Sequence, residues 1–430
     1  METVLKVRLW DKDVAVVNWN KEKELATTEF YDSFINENLD IAPLFMPLED
    51  LRRGDKIFSF PSHKNKTFKG LPGLLADSLP DDYGNSIIDE WFAAKQMSVD
   101  ITPLDRLSYI GKRAMGALEY EPAIGISALN ESVQVEIEEL TKLAKAILDQ
   151  REDFLLKLTD NNHNAINMLR VGRSAGGANP KAIIAVNDAT GEIRSGQVKA
   201  PEGFCYWLLK FDGMEGGRIN DNPFGIGRIE YAYYKMAMDC GIEMSECRLF
   251  EDNGSAHFMT KRFDRNNNGE KLHTQTLCAL AHFDRDERFS YEQMFQTMRK
   301  LYLPYSEMEQ MFRRMVFNIV ARNHDDHTKN HSFIMNKWGE WRLAPAYDLC
   351  FSYSPFGKWT SQHQLSLNGK RIDFQLEDLL SVAKKMDIKN AKLMISEIVE
   401  VVSNWEQYAK ESEVRKEHIA FISNQLRLIL

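Results

Sequence analysis

Asn323-His324-Asp325-Asp326-His327-Thr328-Lys329-Asn330-His331-Ser332-Phe333, with Tyr347-Asp348-Leu349 further on, is the passage on which the fold turns. Upstream, Met308, Met311, Phe312, Met315, Val316, Ile319 and Val320 recur at three- and four-residue steps, the buried stripe of an amphipathic helix. Ser306 and Glu309 have capping-box spacing, so the helix is expected to open there and run out at Asn323, leaving Asp325 on a loop. Downstream, Ser332 to Met335 reads as a strand, Asn336-Lys337-Trp338-Gly339 as a turn and Trp341-Arg342-Leu343 as the returning strand. A hairpin brings its ends together, so Asn330 and Asp348 are expected at one edge.

That arrangement has a chemical reading. A carboxylate, an asparagine five positions on and a second carboxylate across a hairpin are the set used by protein-kinase-type phosphoryl transfer. Asp325 would orient the acceptor hydroxyl and take its proton. Asn330 and Asp348 offer hard oxygens suited to magnesium. Lys329 would neutralise charge on the transferring phosphate, and Asp326 reads as structural. Two alternatives stay open. His324 and His327 flank the aspartates, as in a transition-metal site of a phosphohydrolase, although the ten histidines form no second matching cluster. An Asp-rich loop after a helix is also an ordinary cap and turn.

At 430 residues the chain is long enough for two or three domains. A net charge of -9 argues against a direct grip on nucleic acid, whose phosphates demand surplus Lys and Arg. Five scattered cysteines without CxxC spacing fit reduced thiols in the cytoplasm. Met1 to Trp10 has no apolar signal core, and Met311 to Val320 is broken by Arg313 and Arg314 and too short to span a bilayer. These features predict a soluble cytoplasmic protein with no membrane partner.

Texture divides the chain into residues 1–125, 126–280 and 281–430. The first part reads as strands over Val4 to Trp19 and Lys56 to Phe60, a loop and short helix over Gly70 to Pro80, a helix around Gly84 to Lys95 and a tight turn at Gly111 to Leu118. A helix carrying Val135, Leu140, Leu143, Ala144, Ile147 and Leu148 follows as a linker. Strands are expected at Lys181 to Val186, Phe204 to Phe211 and His257 to Phe263, with a helix from Ile229 to Asp239; beyond about residue 290 the pattern is helical.

The small, flexible stretch Val171-Gly172-Arg173-Ser174-Ala175-Gly176-Gly177-Ala178-Asn179-Pro180-Lys181 leads into the first of these strands and would let backbone N–H groups approach phosphate. Read alone it is equally a surface turn. Lys210 ends the run Tyr206-Trp207-Leu208-Leu209, and Glu230 opens the next helix, the strand-then-helix layout of a kinase Lys–Glu pair. Lys261-Arg262-Phe263-Asp264-Arg265 precedes a polar turn and suits a hinge that holds adenine. Strand-rich then helix-rich is the order of a kinase's small and large lobes, and the residues point to a magnesium- and ATP-dependent enzyme.

With these pieces in order, the chain resembles the HipA family of toxin serine/threonine kinases over nearly its whole length. The resemblance rests on Ser174 to Lys181, on Lys261 to Arg265, on Asp325 with His327, Lys329, Asn330, Ser332 and Phe333, on Pro345-Ala346-Tyr347-Asp348, and on Phe68 to Leu79 and Gly116 to Pro122. It implies an α+β, bilobed protein-kinase-like fold with an additional small N-terminal α/β domain, and transfer of the ATP γ-phosphate to a protein serine, in the best-known case on an aminoacyl-tRNA synthetase. It implies autophosphorylation at the position of Ser174, which expels the phosphate loop, and a HipB-like DNA-binding antitoxin through which alone the kinase meets DNA. Ser174, Ala175, Gly176, Gly177, Ala178, Lys181, Lys210, Glu230, Lys261 and Phe263 would then contact ATP. A non-catalytic kinase-like corepressor or scaffold is the remaining alternative.

Overall fold

The computed structural model describes residues 4–80, 84–85, 88–89, 92, 100–124, 130–148, 181–213, 225–266 and 268–430. Ser174, Ala175, Gly176, Gly177 and Ala178, and most of the helix expected over 84–95, lie outside the described residues.

The N-terminal part is built on strands β1 (Val4–Leu9), β2 (Lys12–Asn20), β3 (Leu25–Phe30), β4 (Ile57–Phe58) and β5 (Leu118–Glu121), in the order β4-β3-β2-β1-β5, all antiparallel. Leu5, Val7 and Leu9 alternate inward along β1, the period-two pattern of a half-buried strand. Short helices α1 (Asp32–Ile35), α2 (Leu48–Arg53) and α3 (Gly73–Ala76) cover the sheet together with α4 (Pro103–Ile110). Helix α4 begins with a reciprocal box: Asp105 N–H donates to Thr102 Oγ1 at 3.2 Å and Thr102 N–H to Asp105 Oδ2 at 2.9 Å, with Pro103 in the first turn. The core of this part takes in Cys278 and Met335 from the C-terminal half, so it is packed onto the rest and not tethered by a free linker.

After helix α5 (Ile137–Leu148) comes a second antiparallel sheet of β6 (Lys181–Val186), β7 (Ile193–Ser195), β8 (Cys205–Lys210), β9 (Cys247–Asp252) and β10 (Ser255–Lys261), ordered β7-β6-β8-β10-β9. The central strands are those expected from sequence: β6 has the expected bounds, β8 is one residue shorter at each end, and β10 begins and ends two residues earlier than His257 to Phe263. The edge strands β7 and β9 escaped the reading because they are polar and half-exposed, as edges are. Helix α6 (Ile226–Asp239) packs on this sheet so closely that a Cβ at Gly227 would lie 2.0 Å from the Ala256 carbonyl oxygen, which only glycine allows. Its N-terminal N–H groups at Gly225 and Ile226 donate to the Asp212 carboxylate at 2.9 Å, a cap supplied from the end of β8.

Residues 262–265 lead out of this sheet into the helical lobe. There β11 (His273–Thr276) pairs with β13 (Ser332–Met335), and β13 with β14 (Trp341–Leu343), the expected hairpin. Helices α7 (Leu277–Ala281), α8 (Tyr291–Lys300), α9 (Tyr305–Val320), α10 (Leu376–Lys385), α11 (Ala391–Ser403), α12 (Trp405–Glu411) and α13 (Lys416–Ser423) complete it, with a parallel bridge between β12 (Phe289–Ser290) and β15 (Leu365–Ser366). The seven stripe residues of α9 are all buried, Met308 at 5% and the rest at 0% exposure. Two expectations for α9 are corrected. The helix opens two residues early, at Tyr305 after an extended Pro304, which places Ser306 inside the first turn and not at the N-cap, and no side chain caps it. It ends at Val320, not Asn323, because Arg322 turns the chain at φ 58°. A strand-rich lobe, a helical lobe and an N-terminal α/β domain make the fold α+β, bilobed and kinase-like.

Candidate active site

Of the residues that the sequence singled out, Lys181, Lys210, Glu230, Lys261, Phe263, Lys329 and Asp348 line the cleft between the lobes, while Asp325 and Asn330 are not part of its lining. Lys210, at the end of β8, extends its ammonium to Glu230 of α6, Nζ to Oε1 2.5 Å, and to the Asp348 carboxylate. One cation therefore serves two carboxylates. Burial raises both groups; for Asp348, Lys210 and then Lys181 overcome it and hold the carboxyl well below the usual range, while Glu230 remains raised. Asp348 itself adopts φ 53°, a left-handed conformation that a non-glycine residue holds only when its surroundings fix it.

The catalytic-loop candidates follow α9. Asn330 Nδ2 donates to the Asp325 carbonyl oxygen at 2.7 Å, closing the loop across five residues and leaving the amide oxygen as an acceptor. The Asp325 carboxyl is pushed up to about 6, first by burial and next by the charge of Asp348. Its side chain is 44% exposed, so solvent screens part of that shift. Asp326 does something different. It is buried and accepts from Tyr291 O–H at 2.6 Å, His363 at 2.8 Å and Gln364 N–H at 2.7 Å; burial opposes its ionisation, but His363 and these donors win and lower its pKa. That carboxylate anchors the segment after Asp348 to the loop. Tyr347 O–H donates to the Lys329 carbonyl oxygen at 2.6 Å, tying the two ends of the hairpin together.

His324 and His327 do not share a ligand set. His324 packs its ring 4.0 Å from His363 and 4.8 Å from Tyr353. His327 lies 3.8 Å from Asp325 and accepts from Lys329 N–H through Nδ1; burial lowers it to about 3, so it is neutral at pH 7. Among the described residues no group of three or more His, Cys, Asp and Glu is placed to hold a metal on protein ligands alone. Asp325, Asn330 and Asp348 are instead two mutually repelling carboxylates and an amide oxygen, a hard, anionic set that a magnesium ion sharing nucleotide phosphates would suit.

At the hinge, Lys261 and Phe263 line the cleft, with the Phe263 ring 5.6 Å from that of Tyr347. Arg262, Asp264 and Arg265 turn inward. Asp264 is buried, yet the guanidiniums of Arg262 (2.7 Å) and Arg265 (2.8 Å) hold its carboxyl well below the normal range. Gly116 N–H donates to the same carboxylate at 2.7 Å, and Arg265 donates to the Gly116 and Ala114 carbonyls. The N-terminal domain is thus fastened to the hinge. It also supplies Asp77, which accepts from Thr276 N–H at 2.7 Å and Thr276 O–H at 2.8 Å at the head of α7 and lines the cleft. Sequence reasoning missed Asp77 and the Asp264 lock. Both act across 148 positions or more, and no local pattern carries such a pairing.

Comparison with known proteins agrees with this construction. Residues 173–405 match the HipA-like C-terminal domain and residues 5–121 the HipA N-terminal domain. The structure superposes on HipA from the Shewanella oneidensis MR-1 toxin–antitoxin complex of HipA, HipB and operator DNA at TM-score 0.65 and 16% identity, covering 98% of this chain and 94% of that one. The Helicobacter pylori proinflammatory kinase CtkA overlaps 51% of this chain and 90% of its own at TM-score 0.33 and 14% identity. A kinase-named protein of Haemophilus influenzae is 28% identical over 153 residues; the match takes in 31% of this chain and 43% of that protein, so the chain spans less than half of that relative. With one match on the N-terminal domain and the other over more than half the chain, this protein belongs to the HipA family.

Proposed function

We propose that this chain is a magnesium- and ATP-dependent protein serine/threonine kinase of a toxin–antitoxin module. The observation that carries the reading is Lys210: a lysine on a central strand, paired with a helix glutamate and reaching the hairpin-borne Asp348 beside Asn330 and Asp325. The charge of the cleft supports it. Among the described residues, Arg113, Lys181, Lys210, Lys261, Arg262 and Lys329 line it against Asp77, Glu230 and Asp348, in a chain whose net charge is -9. A polyanion is the ligand such a cavity favours.

In this reading Glu230 positions Lys210 on the nucleotide phosphates, Lys261 and Phe263 border the adenine, and Lys181 and Lys329 offset phosphate charge. Magnesium held by Asn330 and Asp348 would neutralise charge on the β- and γ-phosphate oxygens. Asp325 accepts the proton as the acceptor oxygen bonds to the γ-phosphorus and the bond to the β-phosphate oxygen breaks, releasing ADP. Ser174 to Ala178 form the phosphate cradle, with Ser174 as its own acceptor. The Shewanella protein is seen with HipB and operator DNA; by analogy a HipB-like antitoxin is the proposed partner here, with DNA met only through it. No described helix is long and apolar enough to cross a membrane, and a cytoplasmic setting is proposed. A protein hydroxyl is the acceptor class, and an aminoacyl-tRNA synthetase the candidate substrate.

The test is intact mass with site mapping after incubating wild type and Asp325→Ala with ATP and magnesium. One added phosphoryl group on Ser174 in wild type alone is expected. Equal incorporation in the variant refutes Asp325 as the base, and absence of nucleotide binding in a folded wild type refutes the kinase reading.

A further inference from the structure

The N-terminal domain forms one wall of the cleft. Leu79 beyond α3, Ile110 at the end of α4, and Arg113 and Met115 from the connection between α4 and β5 line it together with Lys181 and Lys210. Arg113 is chemically unlike its neighbours. It is 5% exposed, and its guanidinium lies 5.0 Å from the centre of the Tyr109 ring. Nε donates to the Ile110 carbonyl at 3.3 Å and Nη2 to the Tyr109 carbonyl. These bonds close the C-terminal end of α4, where free carbonyls attract a cation.

That structural role leaves donors over. Nη1 is buried and has no hydrogen-bond partner among the described residues. Burial lowers the pKa of Arg113, and the group that acts against burial is Tyr109; no described carboxylate takes part. Asp77, the carboxylate of the same wall, is already engaged by Thr276. Tyr109 packs in the apolar cluster of Ala182 and Ile184, on the strand that opens at Lys181, and Lys181 is the register partner of Lys210. Arg113 therefore stands on the side of the cleft that carries the lysines. A buried cation with a spare donor and no counter-ion is unfavourable until a ligand brings the anion.

We propose that Arg113 is a ligand-binding residue of the N-terminal domain, donating Nη1–H to a phosphate oxygen of the bound adenine nucleotide, so that the nucleotide site is shared between that domain and the two lobes. The proposal rests on the nucleotide reading given above. It separates from a helix-closing role because a phosphate contact discriminates among ligands and a structural contact does not.

The experiment uses the full chain as wild type, Arg113→Gln and Arg113→Lys. Calorimetric titrations with ATP, ADP, AMP and adenosine, in the presence of magnesium, are set beside ligand-free thermal unfolding. Arg113→Gln is expected to weaken ATP by about 10- to 100-fold, the scale of a lost charge-assisted hydrogen bond, with adenosine changed by no more than about twofold and Arg113→Lys intermediate. Equal weakening of all four ligands, or none, overturns the proposal whatever happens to the unfolding midpoint. Should Arg113→Gln fail to fold, Arg113→Lys decides: a loss confined to the phosphorylated ligands supports the contact, and a uniform response overturns it. A wild type that binds none of the four overturns the nucleotide reading, and the proposal with it.

Discussion

Replacing Lys210 by Met would leave two buried carboxylates facing each other without their shared cation. The side chains of Glu230 and Asp348 are only 7% and 23% exposed, so water cannot take over. At 2.5 Å and an effective dielectric of about 20, the Lys210–Glu230 attraction is roughly 7 kcal/mol before desolvation. Burying the ions takes back several kcal/mol each, and the loss on truncating one partner of such a pair is about 3–5 kcal/mol. Lys181 acts on both carboxylates and places the expectation at the lower end, ~3 kcal/mol. The penalty must depend on pH. Without Lys210 both folded-state pKa values lie above the unfolded values of about 4, so the folded variant takes up a proton first. Destabilisation is complete above the new folded-state pKa and shrinks as pH falls toward about 4. Urea denaturation of wild type and Lys210→Met at pH 8 and pH 5, followed by tryptophan fluorescence, measures both effects. Glu230→Gln in the Lys210→Met background should recover about half of the loss, since it removes one of the two stranded charges. A loss below about 1 kcal/mol at pH 8, or one unchanged at pH 5, refutes the shared-cation account.

Three further outcomes follow from the same geometry. Asp326→Asn keeps the shape but sets an amide N–H₂ among the Tyr291, His363 and Gln364 donors; a loss of about 2–3 kcal/mol is expected at pH 7, and the gap to wild type should close as pH falls through the depressed carboxyl pKa; a loss under about 0.5 kcal/mol would mean that Asp326 anchors nothing. Asp264→Ala strands two buried guanidiniums, and about 3–5 kcal/mol together with faster proteolysis near residues 114–116 is expected, whereas unchanged protection would remove the hinge lock. The pH profile of kcat/KM for phosphoryl transfer should fall tenfold per unit below a pKa at or under about 6, where Asp325 takes up its proton; a flat profile from pH 4.5 to 8 would exclude Asp325 as the base.

Local patterns made much of this legible. The α9 stripe needs only the helical period, and the β13–β14 hairpin only strand propensity and an Asn-Lys-Trp-Gly turn, so the loop holding Asp325 and the edge holding Asp348 could be placed before any fold was known. Lys210 and Glu230 were suspected because a lysine ending a strand and a glutamate in the next helix are local features, although α6 opens at Ile226 and Glu230 stands in its second turn, not at its start; their sharing with Asp348, 138 positions away, was not. Short polar strands left no trace. β11, His-Thr-Gln-Thr, has no alternation to detect, yet it carries Thr276, through which Asp77 reaches the cleft. The start of α9 misled for a simpler reason: Ser-x-x-Glu spacing also occurs one step inside a helix, and Pro304 had already fixed the entry.

The Lys210–Asp348 pair also explains why a metal and a nucleotide should arrive together in the proposed chemistry. Phosphate that recruits Lys210 alone strips Asp348 of its strongest counter-charge and leaves it beside Asp325, whose pKa its charge already raises. Asp348, once freed of Lys210, would be the carboxylate to hold a divalent cation, whose charge would offset that penalty and lower the pKa of Asp325 toward that of a working base. Triphosphate affinity should therefore rise with magnesium by more than the ion's effect on the nucleotide in water. In Asp348→Asn that coupling should vanish while adenosine binds as before. Equal magnesium dependence in wild type and Asp348→Asn would show that Lys210 and the metal do not compete for this carboxylate.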